Sequence, residues 1–319
     1  MDTKYFGWGP PSTTSDKTKY LARSVSDMVC ERESRIIQPV LTGPKYETKK
    51  FFAWWASRKL FGKDILHTHQ FSGSCVGASA GNLLNYTQCI EIATKNEPEE
   101  FKYIFYPYHY GAGRKRAGYT RKGDGSYGAA QAEAILQDGC IPDDLTGLPR
   151  TVKTSIDWEA GYDTEMDWSG RDRDGSWDFG NYVSTGIEHR IQNASKVTSA
   201  EKAAEFVLNG YLLQVCSDVG YGRLDSAGFN VNDRNWNHAM LIAGVDIGYK
   251  IPYFIIINSW SDVHPRLKDF ETGEEYPIGC LRVRFDHADR MFRQQDTFVY
   301  SALNGFPRRQ LDISLFAQA

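Results

Sequence analysis

The sequence predicts an α+β protein in which a helical lobe is followed by a β lobe. Two changes along the chain carry this reading. Through the first half, apolar residues recur at helical spacing between helix-stop signals; after residue 210 the period shortens to brief apolar runs bounded by turn residues. Composition adds a third observation: 319 residues with 41% hydrophobic, 24% charged and 13% aromatic side chains can build a sizeable core and do not resemble a disordered or fibrous chain.

Taken in order, residues 1–54 read as an N-terminal arm: Pro10-Pro11, a polar run over 12–19, and a short helix expected around 20–30. The body is expected over 55–302, with the helical lobe at about 55–185 and the β lobe at about 186–302, and residues 303–319 form a tail. From Cys75 to about Thr94, the residues Val76, Ala80, Leu83, Leu84, Ile90 and Ile92 follow helical spacing, and Pro98 limits that helix. A second helix, rich in alanine, is expected over 127–137 and is closed by Gly139. Residues 158–180, rich in Gly, Asp and Trp, read as a long surface loop. A third helix starts at Thr198, where Thr198-Ser199-Ala200-Glu201 has capping-box spacing, and stops at Gly210. Short strands follow at 212–216, 239–245, 253–257, 280–285 and 297–301.

A net charge of -3 gives no reason to expect a polyanion, so no nucleic-acid partner is predicted. No apolar run reaches the ~18 residues of a membrane span, and the N-terminus lacks a signal-peptide core. A cytoplasmic protein with no membrane partner is expected. Six scattered cysteines without a CxxC pair point to reduced thiols. The basic run Arg114-Lys115-Arg116, with Arg121 and Lys122, reads as a solvated loop. The aromatic run over 103–110 reads as core packing. His67 and His69 lack a third ligand nearby. Residues 172–178 alternate oxygen donors in the manner of a calcium loop, but Trp177 stands where that loop needs glycine and Val183 where it needs glutamate. Neither a metal nor a cofactor is expected.

Chemistry concentrates at three places. Cys75 lies in Gln70-Phe71-Ser72-Gly73-Ser74-Cys75-Val76-Gly77, at the expected start of a helix, where unpaired N–H groups and the helix dipole favour a thiolate. Free cysteine is also among the most buried residue types, so this position alone leaves nucleophile and packing thiol both open. His238 opens the apolar run Ala239-Met240-Leu241-Ile242-Ala243 at the mouth of a strand, a place for a general base. Asn258 and Trp260 end the next apolar run. An Asn oxygen can accept from one ring nitrogen of a histidine and fix its tautomer, and a tryptophan over that bond excludes water.

The segments Gly73-Ser74-Cys75-Val76-Gly77-Ala78-Ser79-Ala80, Asn237 to Val245 and Ile257-Asn258-Ser259-Trp260, in that order, resemble the active-site segments of papain-like cysteine peptidases. The distance from Cys75 to His238 is slightly beyond the roughly 130–150 positions usual there. The resemblance extends over about residues 65–290 and implies a two-lobed fold, with an N-terminal helical lobe, a C-terminal antiparallel β-barrel-like lobe and the active site between them. It implies a Cys75-His238-Asn258 triad acting on a protein or peptide substrate, an oxyanion donor at Gln70, and substrate contacts at Gly125, Ser126 and Trp260. The family's glutamine stands six residues before the cysteine, whereas Gln70 stands five before it; either the loop is one residue shorter and Gln70 still reaches in, or the oxyanion hole is incomplete. Ser72 in place of an extra cysteine, the serine at 261 and an insertion over 262–277 look more like the family's bacterial and viral branch, without disulfides. The 74 residues before Cys75 read as an arm instead of an inhibitory prosegment. An arm of that kind suits contact with neighbouring subunits, as in a virus particle, so a structural component with weak or no catalysis is the alternative.

Overall fold

The longest strand, β4 (Arg234–Asp246), explains how the second half folds. Its first residues alternate between solvent and interior, but every residue from His238 to Asp246 is buried, as in a central strand covered on both faces. The computed structural model describes residues 8, 49–95, 100–119, 123–148, 158–170, 182–260, 264–301 and 303. The other strands are β1 (Lys50–Phe52), β2 (Ala194–Lys196), β3 (Leu213–Gly220), β5 (Tyr253–Ile257), β6 (Cys280–Arg284) and β7 (Thr297–Tyr300). They form one antiparallel seven-stranded sheet of order β2-β7-β3-β4-β5-β6, in which β1 pairs with β4 beyond the end of β3. The register places Cys216 opposite Ala239 and Ser217 opposite His238.

Eight helices are described: α1 (Trp54–Phe61), α2 (Cys75–Lys95), α3 (Tyr106–Ala117), α4 (Gly128–Gln137), α5 (Trp158–Trp168), α6 (Tyr182–Glu188), α7 (Ala200–Leu208) and α8 (Phe285–Phe292). The main core lies between α2 and the sheet, where Val76, Ala80, Leu83 and Leu84 join Leu213, Ile242 and Ile256 in one apolar cluster. The opposite side of α2 is kept thin by glycine. A Cβ at Gly77 would lie 2.5 Å from Tyr110 Cβ, and one at Gly81 would lie 2.9 Å from Tyr106 Cβ. Matched four-residue spacings on α2 and α3 therefore let the two helices approach closely.

Several expectations shift. The third helix is α7, whose N-cap is Ser199, not Thr198: the Ser199 hydroxyl accepts from Lys202 N–H at 3.2 Å. Residues 158–168, expected within a surface loop, form α5, which carries the buried Met166 and Glu165. Arg114, expected in a solvated loop, is fully buried in α3. Its guanidinium is satisfied by the carbonyls of Gly125, Ser169 and Tyr119 at 2.7, 3.0 and 2.6 Å, which is what makes burial of the charge tolerable. β1, β2, α1, α3, α6 and α8 are elements that the sequence reading does not contain. The run over 103–110 does pack inside, with Tyr106, Tyr108 and Tyr110 buried. The expected helix at 20–30, Cys30, Arg121, Lys122 and the loop over 172–178 lie outside the described residues.

Candidate active site

Cys75 is the first residue of α2 and is fully buried. The turn before it is closed by Ala78 N–H donating to Ser74 O at 3.0 Å. The first turn of α2 is docked on the sheet by Gln214 of β3, whose amide donates to Val76 O and to Ser79 Oγ, the latter at 2.7 Å, while its oxygen accepts from Tyr300 OH at 2.7 Å. No disulfide joins the described cysteines. Burial pushes the thiols of Cys89, Cys140, Cys216 and Cys280 up, so they remain protonated.

His238, Asn258 and Trp260 come together. His238 Nε2 lies 2.9 Å from Asn258 Oδ1, and the Trp260 ring stacks on the imidazole with centroids 4.2 Å apart. Trp236 closes the same side, its ring 4.8 Å from that of Trp260. Asn258 is held in place by the sheet: it directly follows β5, and its N–H donates to Gly279 O at 3.0 Å. Its amide nitrogen faces His264 Nε2 at 2.9 Å. Burial holds His238 down at about 3, against the opposing pull of the Asn258 hydrogen bond, and holds His264 down at about 4. Both rings are therefore neutral near pH 7.

Gln70 reaches the segment that carries Asn258. Its N–H donates to Ser259 O at 3.3 Å, and its Oε1 accepts from Ser259 Oγ at 2.6 Å. Its Nε2 donates to Ser72 O at 2.9 Å, which engages one of the two amide protons. Beneath this loop lies Glu165, which sequence reasoning missed. Its carboxylate accepts from Phe71 N–H at 2.8 Å and from the hydroxyls of Ser72 and Tyr106. Burial pushes Glu165 up to about 7, with the Ser72 and Phe71 hydrogen bonds pulling the other way.

Gly125 and the cysteine loop share Tyr110: its hydroxyl donates to Gly73 O at 3.3 Å and accepts from Gly125 N–H at 3.1 Å. Gly125 has φ +106°, a backbone conformation that favours glycine. Ser126 is buried and forms a parallel bridge with Trp8 of the arm; the arm's expected end at 54 is too late, since Lys50–Phe52 already pair with β4. Trp8 N–H donates to Asn237 O at 3.2 Å, beside His238, and its indole donates to Asp296 Oδ2 at 2.7 Å. Trp8 thus spans from the helical-lobe segment at Ser126 to the strand that carries His238. Asp296 also accepts from Gly128 and Ala129 N–H at 2.7 and 3.0 Å, at the start of α4, where a carboxylate is favoured. A Cβ at Gly128 would meet Asp296 O at 2.9 Å, so glycine is needed there.

His67 is occupied structurally, its ring nitrogens facing Ile278 O at 3.1 Å and Tyr86 OH at 2.7 Å. Among the described residues no group of three His, Cys, Asp or Glu side chains is arranged to hold a metal ion.

No protein-family model and no curated protein matches the sequence. Solved structures do. Xylellain, a cysteine protease from Xylella fastidiosa, superposes with a TM-score of 0.55 over 94% of this chain and 97% of that chain, at 12% identity. The fold is papain-like. Also similar are digestive procathepsin L 3 of Tenebrio molitor larval midgut, with a TM-score of 0.47, 13% identity and 90% and 77% of the two chains covered, and a structure concerning the mite allergens Blo t 1 and Der p 1, with a TM-score of 0.49, 13% identity and 94% and 80% covered. At such identities the likeness is one of fold. Among the described residues no helix is long and apolar enough to cross a membrane.

Trp8, Glu165, His264 and Asp296 are the site residues that sequence reasoning did not find. Each stands far in sequence from the motif it touches or, for His264, inside an insertion with no pattern of its own. The sequence holds seven histidines, and nothing in their spacing marks His264 as a partner of Asn258.

Proposed function

We propose that this protein is a cysteine-type peptidase that hydrolyses peptide bonds of a protein or peptide substrate through Cys75, His238 and Asn258. The observation that carries the reading is His238, which lies inside β4 and not at the strand mouth expected for it, on Asn258 just past the end of β5 and under Trp260, in a papain-like fold whose helix α2 begins at Cys75. His238 takes the Cys75 proton at Nδ1, and the thiolate adds to the scissile carbonyl. The Cys75 N–H and the Gln70 side-chain amide receive the oxyanion. Collapse of this intermediate breaks the C–N bond, and the proton on His238 leaves with the amine. Water, deprotonated by His238, then hydrolyses the thioester and restores the thiol. Asn258 orients the ring, Trp260 keeps water from the bond between them, and Ser126 pairs with substrate backbone at the position Trp8 bridges, while Gly125, whose N–H and carbonyl are engaged by Tyr110 and Arg114, shapes that edge. The test is hydrolysis of an unfolded protein substrate together with labelling by an epoxide-type thiol inhibitor. Loss of both in Cys75→Ala is expected; unchanged hydrolysis in that variant overturns the mechanism.

A structural component built on this fold, as in a virus particle, is the second reading, favoured by Trp8 occupying the position beside Ser126 and Asn237. Under it, the inhibitor shows no selectivity for Cys75 over the other cysteines, and the arm also contacts neighbouring subunits. A cytoplasmic location accompanies the peptidase reading, and a virion location the structural one.

A further inference from the structure

The Asn258 carboxamide has two chemically different ends, and each faces a histidine at 2.9 Å: Oδ1 faces His238 Nε2 and Nδ2 faces His264 Nε2. An amide nitrogen only donates. His264 Nε2 is therefore the acceptor, and its neutral ring carries the proton on Nδ1. An amide oxygen only accepts, so His238 carries its proton on Nε2. That leaves Nδ1 of His238 as the lone pair, a buried atom with no hydrogen-bond partner among the described residues. Turned over, the same carboxamide would present N–H to His238 Nε2 and move the proton to Nδ1, where the ring could not receive one from a thiol.

We propose that His264 is a positioning residue that sets the tautomer of His238 by fixing which way the Asn258 carboxamide faces; the catalytic meaning of that tautomer rests on reading Cys75 and His238 as nucleophile and base. Position supports it. His264 lies six residues after Asn258 and directly before a segment anchored on the sheet, where Leu267, Asp269 and Tyr276 are buried. Its ring is also 6.1 Å from that of Trp236. Among the described residues the titratable group that faces it is His238, across the carboxamide; Trp236 and Asn258 also lie against it. Protonated, His264 would offer a donor to a donor, and the carboxamide would be driven to turn.

The experiment uses the full chain with ¹⁵N-labelled histidine. NMR at neutral pH reads the His238 tautomer in the wild type, in His264→Gln, whose side-chain oxygen replaces the accepting nitrogen, and in His264→Phe and His264→Ala, which have no acceptor; Phe keeps the bulk of the ring. The Nε2–H tautomer is expected in the wild type and H264Q, and a mixture or the Nδ1–H form in H264F and H264A. The same tautomer in all four overturns the proposal. In hydrolysis assays, kcat is expected to fall about 10- to 100-fold in H264F at unchanged KM, the range for losing a partner that orients a functional histidine. H264Q is expected to keep kcat and to lose the acidic limb set by His264; an equal loss in H264Q and H264F also overturns the proposal. Because the NMR readout needs no turnover, absence of hydrolysis in every form, wild type included, counts against the peptidase reading and leaves the tautomer result to decide the role of His264.

Discussion

The two sides of the site are held by different physics. On the strand side, His238 lies within the β3–β4 ladder and Asn258 follows directly on the β5–β6 ladder, so backbone pairing fixes where both side chains start. On the loop side, residues 70–74 belong to no strand. The contacts that hold them include a backbone bond from Gln70 to Ser259 and the side chains of Glu165, Ser259, Tyr110 and Asp124, the last accepting from Gly73 N–H at 3.3 Å. The strand side is therefore robust to single changes away from its reacting groups, whereas the loop side depends on a few buried polar atoms, each costly to leave unpaired.

Substitutions on either side can break this contrast. The largest effect is expected from His238→Ala, a loss in kcat on the order of 10³-fold or more, with a lowered denaturation midpoint because a fully buried ring is removed and Asn258 Oδ1 loses its donor; unchanged kcat would mean that the ring is not the base. Gln70→Ala is expected to lower kcat by about 10²-fold if its side-chain amide serves the oxyanion, and kinetics on one peptide substrate separate that from a rise in KM. Glu165→Ala removes the acceptor that Phe71 N–H and the Ser72 hydroxyl share, while Tyr106 OH keeps His69 O at 2.9 Å. A loss of about 2–4 kcal/mol in urea unfolding is expected, larger than for any exposed acidic residue. Trp8→Ala is expected to raise kcat/KM several-fold by clearing the position beside Ser126, and a fall would assign Trp8 a supporting role instead.

Stability against pH gives the smallest and most discriminating effect. His238 and His264 have folded values of about 3 and 4, below the ordinary 6.5. The unfolded chain therefore binds more protons in that range, and their contribution is lost as pH falls below 6.5. Buried His109, held down at about 3, and His67, at about 4, act in the same direction. Glu165 has the opposite sign: its folded value of about 7 exceeds the ordinary 4.5, so stability falls as pH rises from 4.5 to 7. Glu165→Gln is expected to flatten that upper decline by about 1 kcal/mol or more while leaving the acid limb in place, as read from urea midpoints at pH 5 and 7.5.

Legibility in the sequence followed the same division. β5 is found at its expected bounds, and the start of α2 at Cys75 and the end of α4 at Gln137 are as expected, because each is marked by an apolar run or a glycine stop. α3 and α5 were hidden because their buried faces are polar or aromatic, with Arg114 and Glu165 pointing inward to partners outside their own helices. Periodicity registers apolar faces and is blind to a charge satisfied by remote carbonyls.

By itself, the sequence determined the α+β class, most strand runs of the β lobe, the helix that begins at Cys75, and Asn258 as an amide just past a strand end; it placed His238 at a strand mouth, whereas β4 starts four residues earlier. Those features are encoded by neighbours within a few positions. Only the tertiary structure decided that Asn258 lies between two histidines, that Glu165 supports the loop before Cys75, and that Trp8 spans from Ser126 to Asn237. Each of these is a contact between residues whose sequence separation carries no periodic or capping signal, and chain folding alone brings them within hydrogen-bond reach.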